Sequence, residues 1–270
     1  MEKRYKATPW ISVAVLFLIL TMLGNGSARQ SPDMLVRATA LLNRSVHFSE
    51  KDRTGEIREV YVDPVSGLIP FCILSFNAFL GTVEKNVLVS IPWTYVNFKS
   101  RNQQFVIREI KSEGDDEISP LEYKSRKHQQ VSPAEAENIY RHYDLENLLE
   151  RSRRETDSDS NIPVIDILRL ENIPVYSQGT RFGRAASYFM SLDSGMIRTI
   201  LLEQSGTDTY VMIPFPILRF DPVRFAYILK VPEERIAQAP QVEQDTFLYY
   251  EHQDMQKLYA AFGLSDLLEQ

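Results

Sequence analysis

From Leu35 onward, short runs rich in Val, Ile, Phe and Tyr alternate with polar or glycine-bearing turns. Leu35–Leu42, Ser45–Phe48, Glu56–Val62, Leu68–Phe76, Asn86–Ile91, Tyr95–Phe98 and Gln104–Ile110 each read as a strand, because branched and aromatic side chains suit a pleated, half-buried surface. Within Glu56–Val62, Ile57 and then Val60 and Val62 share the inner face only if the register slips by one after Arg58, which predicts a bulge near Gly55. Asp63-Pro64-Val65-Ser66-Gly67 then supplies turn chemistry. The polar stretch Lys111–Gln130 carries Asp115-Asp116-Glu117, which reads as a solvated loop, with a calcium site as the alternative and without EF-hand spacing. A helix follows: Ser132 caps it, Pro133 opens its first turn, Glu135 completes a capping box, and Ile139, Tyr140 and Tyr143 form one apolar stripe.

Arg151–Ser160 contains no apolar residue and reads as a linker. Then the text begins again. Pro163–Leu170, Pro174–Tyr176, Arg184–Met190, Met196–Glu203, Thr209–Ile213, Ile217–Phe220 and Phe225–Lys230 repeat the strand series. Gly55 and Gly67 have the same separation as Gly183 and Gly195, and Ile91-Pro92-Trp93 matches Ile213-Pro214-Phe215. The first copy holds six extra residues, placed by this alignment in Asn77–Lys85. The tails also match, Ile139–Glu150 with Leu258–Glu269, where Gly263 stops the helix as Asp144 does in the first copy. Recurrence in one order is the mark of an internal duplication. It divides the chain into residues 34–150, a charged linker at 151–162, and residues 163–270.

Taken together, these motifs resemble the PRC-barrel family. The resemblance is carried by Asn43-Arg44-Ser45-Val46, Gly55-Glu56-Ile57, Val62–Ile69 and Val89–Trp93, and in the second copy by Asn172–Val175, Gly183, Asp193-Ser194-Gly195 and Val211–Phe215. Glu234–Pro240 and the terminal Leu258–Leu264 look like the tail of bacterial members. The resemblance implies a mainly β protein of two small barrels, each followed by a short helical tail. It also implies an assembly or docking module, and transfers no catalytic residue. By family analogy alone it further suggests a membrane-tethered accessory subunit of an electron-transfer or photosynthetic complex.

The amino terminus changes the picture of where such a module works. Lys3, Arg4 and Lys6 precede the apolar run Trp10–Leu23, and Gly26 and Ala28 stand where a signal peptidase would read small residues. Residues 1–28 therefore read as a cleaved signal peptide, or as a retained anchor through residues 10–23 of the inner membrane. Either way the remainder is exported, to the periplasm or beyond, and membrane contact is expected only if that segment is kept. A net charge of −6 argues against general nucleic-acid binding. The single cysteine, Cys72, has no disulfide partner and sits in an apolar run, as a small buried residue does.

Candidate chemistry is sparse. His47, His128, His142 and His252 show no metal-ligand spacing, and no nucleophile elbow, Walker loop or dinucleotide signature occurs. Asp63 and Asp193 are the nearest approach to a carboxylate pair, and each is accounted for by its turn. No catalytic, cofactor-binding or metal-binding residue is predicted. Gly55, Gly67, Gly183 and Gly195 read as turn and bulge positions. Phe76, Phe79 and Leu80, at the six-residue insertion, form a candidate docking surface, with packing over the barrel end as the alternative. Trp93 and Phe215 read as core, and Tyr249, Tyr250 and Tyr259 as seats for the last helix. The expectation is a non-enzymatic protein with a protein partner in the cell envelope. The competing reading is a ligand-binding or enzymatic protein using a cleft between the copies.

Overall fold

The structure is a computed structural model that describes residues 35–48, 53–80, 83–99, 103–108, 119–124, 130–145, 162–207, 209–242, 249–250 and 252–267. The first copy contributes β1 (Leu35–Arg37), β2 (Ser45–Phe48), β3 (Arg53–Val62), β4 (Phe71–Leu80), β5 (Val83–Pro92), β6 (Val96–Lys99), β7 (Gln104–Ile107), β8 (Leu121–Glu122) and β9 (Gln130–Val131), followed by the helix Pro133–His142. The second contributes β10 (Val164–Asp166), β11 (Pro174–Ser177), β12 (Thr180–Ser191), β13 (Ile197–Gln204), β14 (Tyr210–Pro214), β15 (Leu218–Asp221), β16 (Ala226–Leu229), β17 (Gln241–Val242) and β18 (Tyr249–Tyr250), followed by the helix His252–Ala261. The protein is mainly β, with two multi-stranded sheets. One runs β6-β7-β2-β3-β4-β5-β8 and the other β15-β16-β11-β12-β13-β14-β17, the same order twice. The ends of neither path pair with each other among the described residues.

The first strand of each copy crosses over. Strand β1 pairs with β12 and β18 of the second sheet, and β10 pairs with β3 and β9 of the first. Residues from Asp33 on consequently form one compact unit, with the buried side chains of both copies merged in one core. The exchange runs across the boundary expected at 151–162, whose residues before Ile162 lie outside the described set.

Local chemistry explains where the exchanged strands stop. Leu35–Leu42 and Pro163–Leu170 were expected to stay extended. Instead each turns helical after three paired residues, at Ala38–Leu41 and Ile167–Leu170. Ala38 with Leu41, and Ile167 with Leu170, are buried at a spacing of three, which a tight helical turn satisfies and a strand does not. The Asp166 carboxylate also accepts the Leu168 N–H at 3.0 Å, capping the second turn. The longer helix in the first copy starts as its sequence dictates, with Ser132 Oγ accepting the Glu135 N–H.

Strands β4 and β13 lie in the interior of the two sheets, next to β3 and β12. Phe71 to Ser75 and Thr199 to Leu202 are buried without a break, the pattern of a strand covered on both faces. The six-residue insertion lengthens the β4–β5 hairpin, which stays paired out to Leu80 and Val83. The counterpart of that hairpin ends at Glu203 and Tyr210.

Candidate functional site

The turns that follow β3 and β12 meet face to face. In the first, the Asp63 carboxylate accepts the Val65 N–H at 2.9 Å, and Gly67 closes the turn with φ +78°. In the second, Ser191 Oγ accepts the Ser194 N–H at 3.1 Å, and Gly195 has φ +65°. The counterpart of Asp63 is therefore Ser191, which breaks the carboxylate pairing with Asp193. Across the contact, Ile69 N–H donates to the Gly195 carbonyl at 2.7 Å and Ile197 N–H to the Gly67 carbonyl at 2.8 Å. Each glycine also lies against an aromatic residue of the opposite copy. A Cβ on Gly67 would come within 2.9 Å of the Phe215 ring, and one on Gly195 would overlap Trp93. The Trp93 indole N–H, in turn, donates to the Leu192 carbonyl at 3.2 Å. These two glycines are junction residues as well as turn residues.

Gly55 and Gly183 are different, because neither stands in a turn. Both lie inside paired strands, opposite Phe76 and Gln204. A Cβ on Gly55 would stand 2.9 Å from the Ser75 carbonyl oxygen, and one on Gly183 would overlap that of Glu203. Close approach of the neighbouring backbone, not a turn, excludes a side chain there. The register slips at Arg58, between Ile57 and Glu59, as the spacing of Ile57, Val60 and Val62 requires, and at the equivalent point of the second copy, between Ala185 and Ser187. A second irregularity, at Phe182, adjoins Gly183.

A pocket of about 60 Å³ opens beside this junction. Its walls are Val36, Leu41, Phe98, Phe105 and, from the second copy, Leu192. The more exposed Ala40, Arg44 and Gln103 complete it. Arg44 is the one ionisable side chain in this lining. Its Nε donates to the Ala40 carbonyl at 3.1 Å, which holds the guanidinium over the pocket.

Most of the buried tyrosine hydroxyls are occupied with one another or with backbone, whereas Ser90 Oγ, Thr199 Oγ1 and the Tyr227 hydroxyl have no partner among the described residues. Tyr61 donates to Glu59 at 2.8 Å, so the Tyr123 hydroxyl, 3.0 Å away, must donate to Tyr61. Tyr140 donates to the Pro70 carbonyl at 3.1 Å and Tyr259 to the Arg198 carbonyl at 2.7 Å, equivalent bonds that seat the two long helices. Tyr143 donates to the Ser90 carbonyl, and Tyr188 to the Leu170 carbonyl at 2.7 Å. Burial raises the pKa of Tyr61, Tyr143, Tyr188, Tyr227 and Tyr259, and pushes the Cys72 thiol up to about 12. A sharp alkaline limit follows. Below pH ~10 folded and unfolded chains both keep these phenolic protons. Above it the unfolded chain loses them first, so stability falls by about 1.4 kcal/mol per pH unit for each such tyrosine until its folded value is reached. Titration followed by tyrosinate absorbance should show these groups ionising only as the sheet signal collapses. Smooth ionisation with the sheet intact would refute this.

Other residues singled out by sequence separate. Phe76 is half-buried, edge-on to Phe48 with ring centroids 5.6 Å apart. Phe79 and Leu80 pair in β4, but their side chains lie outside the described residues, as do residues 1–28, the Asp115–Glu117 cluster and His128. Trp93 and Phe215 are buried at the junction. His47 Nδ1 lies 3.4 Å from the Thr54 hydroxyl and His142 Nε2 lies 2.8 Å from the Ser119 carbonyl, in separate places. Tyr249 and Tyr250 pair with β1. The pocket is not visible in the sequence, since its lining comes from three separate stretches of chain, within residues 36–44, within 98–105 and at Leu192. Neither a scan against models of known protein families nor a search of curated proteins found a match to this chain.

Proposed function

We propose that this chain is an exported, non-enzymatic docking or assembly protein. In this reading its two halves are PRC-barrel-like, and together they bind a protein partner in the cell envelope. The observation that carries the reading is the junction pocket. At about 60 Å³ it is far below the ~300–1,000 Å³ of small-molecule sites. Its apolar walls and single arginine suit an anchor side chain at an interface better than a reaction that moves protons. The repeated strand order supports the PRC-barrel-like description. The exchanged strands support docking too, because they fix Leu192 of one half against the pocket walls of the other.

The test is chemical cross-linking in intact cells producing the full chain, followed by purification and identification of what is attached. The expected result is a protein partner recovered in constant ratio under several solubilisation conditions. Recovery of the chain alone, with a small molecule tightly bound, would replace docking with a carrier role. Fractionation of the same cells should place the chain outside the cytosol, and its retention there at full length would defeat the export reading.

A further inference from the structure

The two halves provide a comparison at the pocket. Hairpin β6–β7 and hairpin β15–β16 have the same register, with Phe98 opposite Phe105 in one and Phe220 opposite Tyr227 in the other. Gln103 and Phe225 occupy equivalent positions, with φ of 51° and 50°. Ala40 and Arg169 occupy the same place in the equivalent helical turns. In the second half the Phe225 ring stands edge-on to Phe220, with centroids 5.7 Å apart, and the Arg169 guanidinium lies 5.5 Å from its centre. An aromatic ring under a cation thus fills the place that the first half leaves open by having Gln103 and Ala40.

What fits the second half from within should fit the first from outside. Resting on the docking reading, we infer that the first-half pocket receives an aromatic side chain of a protein partner, with a carboxylate beside it. The ring enters between Leu41, Phe98, Phe105 and Leu192, and meets Phe98 as Phe225 meets Phe220. Arg44 supplies the cation that Arg169 supplies in the second half. Among the described residues no carboxylate pairs with Arg44, so its charge is open to an acidic group flanking the ring. This charge complementarity selects an aromatic–acidic segment over a purely apolar one.

The probe is the blocked tripeptide Asp-Phe-Asp, added to the full chain and followed by amide chemical shifts. Saturable shifts are expected at Val36, Ala40, Leu41 and Gln103, with affinity in the millimolar range for one half-buried side chain. Replacing Phe by Ala in the probe should abolish them, and replacing both Asp by Asn should weaken binding about threefold. The double variant Ala40→Arg, Gln103→Phe installs the second half's own filling and should bind nothing while keeping the remaining spectrum. If it fails to fold, Gln103→Phe alone should still weaken binding. Equal shifts with the Ala probe, or undiminished binding by a folded filled variant, would overturn the inference. If the filled variant loses the peptide yet keeps the cross-linked envelope partner, docking stands and this site is wrong. If wild-type chain binds the peptide but recovers no partner, the site stands and docking falls.

Discussion

Gly195→Ala should cost about 2–4 kcal/mol in urea denaturation. Roughly 1 kcal/mol comes from holding a side chain at positive φ, and about 1–3 kcal/mol from overpacking against Trp93. The chain contains its own control. Gly206 also has positive φ, at +78°, but nothing lies within 4 Å of where its Cβ would be. Gly206→Ala should therefore lose only the first part, about 1 kcal/mol. The difference between the two variants measures the contact between halves at the junction. Equal losses would mean that Trp93 does not press on that turn, and the glycine would revert to a simple turn former.

Ile165→Ala should unfold both halves together. Ile165 is fully buried and belongs by sequence to the second copy, yet it pairs with Val62 and Gln130 of the first. Removing its side chain should cost about 2–5 kcal/mol, the usual range for a buried aliphatic residue cut to alanine. Trp93, read in a Trp10→Phe background, reports on the first half and its junction with the second, while far-ultraviolet circular dichroism reports on both sheets. The two signals should shift by the same amount and still coincide. A tryptophan transition left in place, with only part of the dichroism moved, would show that the halves melt independently and that the exchanged strand adds little.

Local features were the ones open to reading from sequence. The Ser132 cap, the left-handed stops at Asp144 and Gly263, and the turn glycines Gly67 and Gly195 each depend on a few consecutive residues. The duplication was legible for the same reason, since it repeats such signals in order. The exchange was not legible, because β1 and β10 are three residues each and nothing in so short a run names its partner. The burial spacing of Ala38 with Leu41 was present in the letters, but an apolar run of that length reads equally as strand. The pocket depends on two differences between copies, Ala40 for Arg169 and Gln103 for Phe225. Those pairs line up only once the strands set the register. Of the candidate docking surface, Phe76 packs on Phe48 along a lengthened hairpin, a contact between strands that the local sequence does not specify.

The crossing of β1 and β10 has a consequence for how the chain is made. A ribosome delivers the amino end first, so the far end of β3 stays uncovered until Asp166 has emerged, and β1 lacks its second neighbour until Tyr250 has followed. Neither copy is a finished folding unit when it first becomes long enough to collapse. Strand edges left waiting are open to strands from other molecules. The arrangement thus favours completion in one late step on a full-length chain. Its characteristic misassembly would be β10 of one molecule seated in the sheet of another.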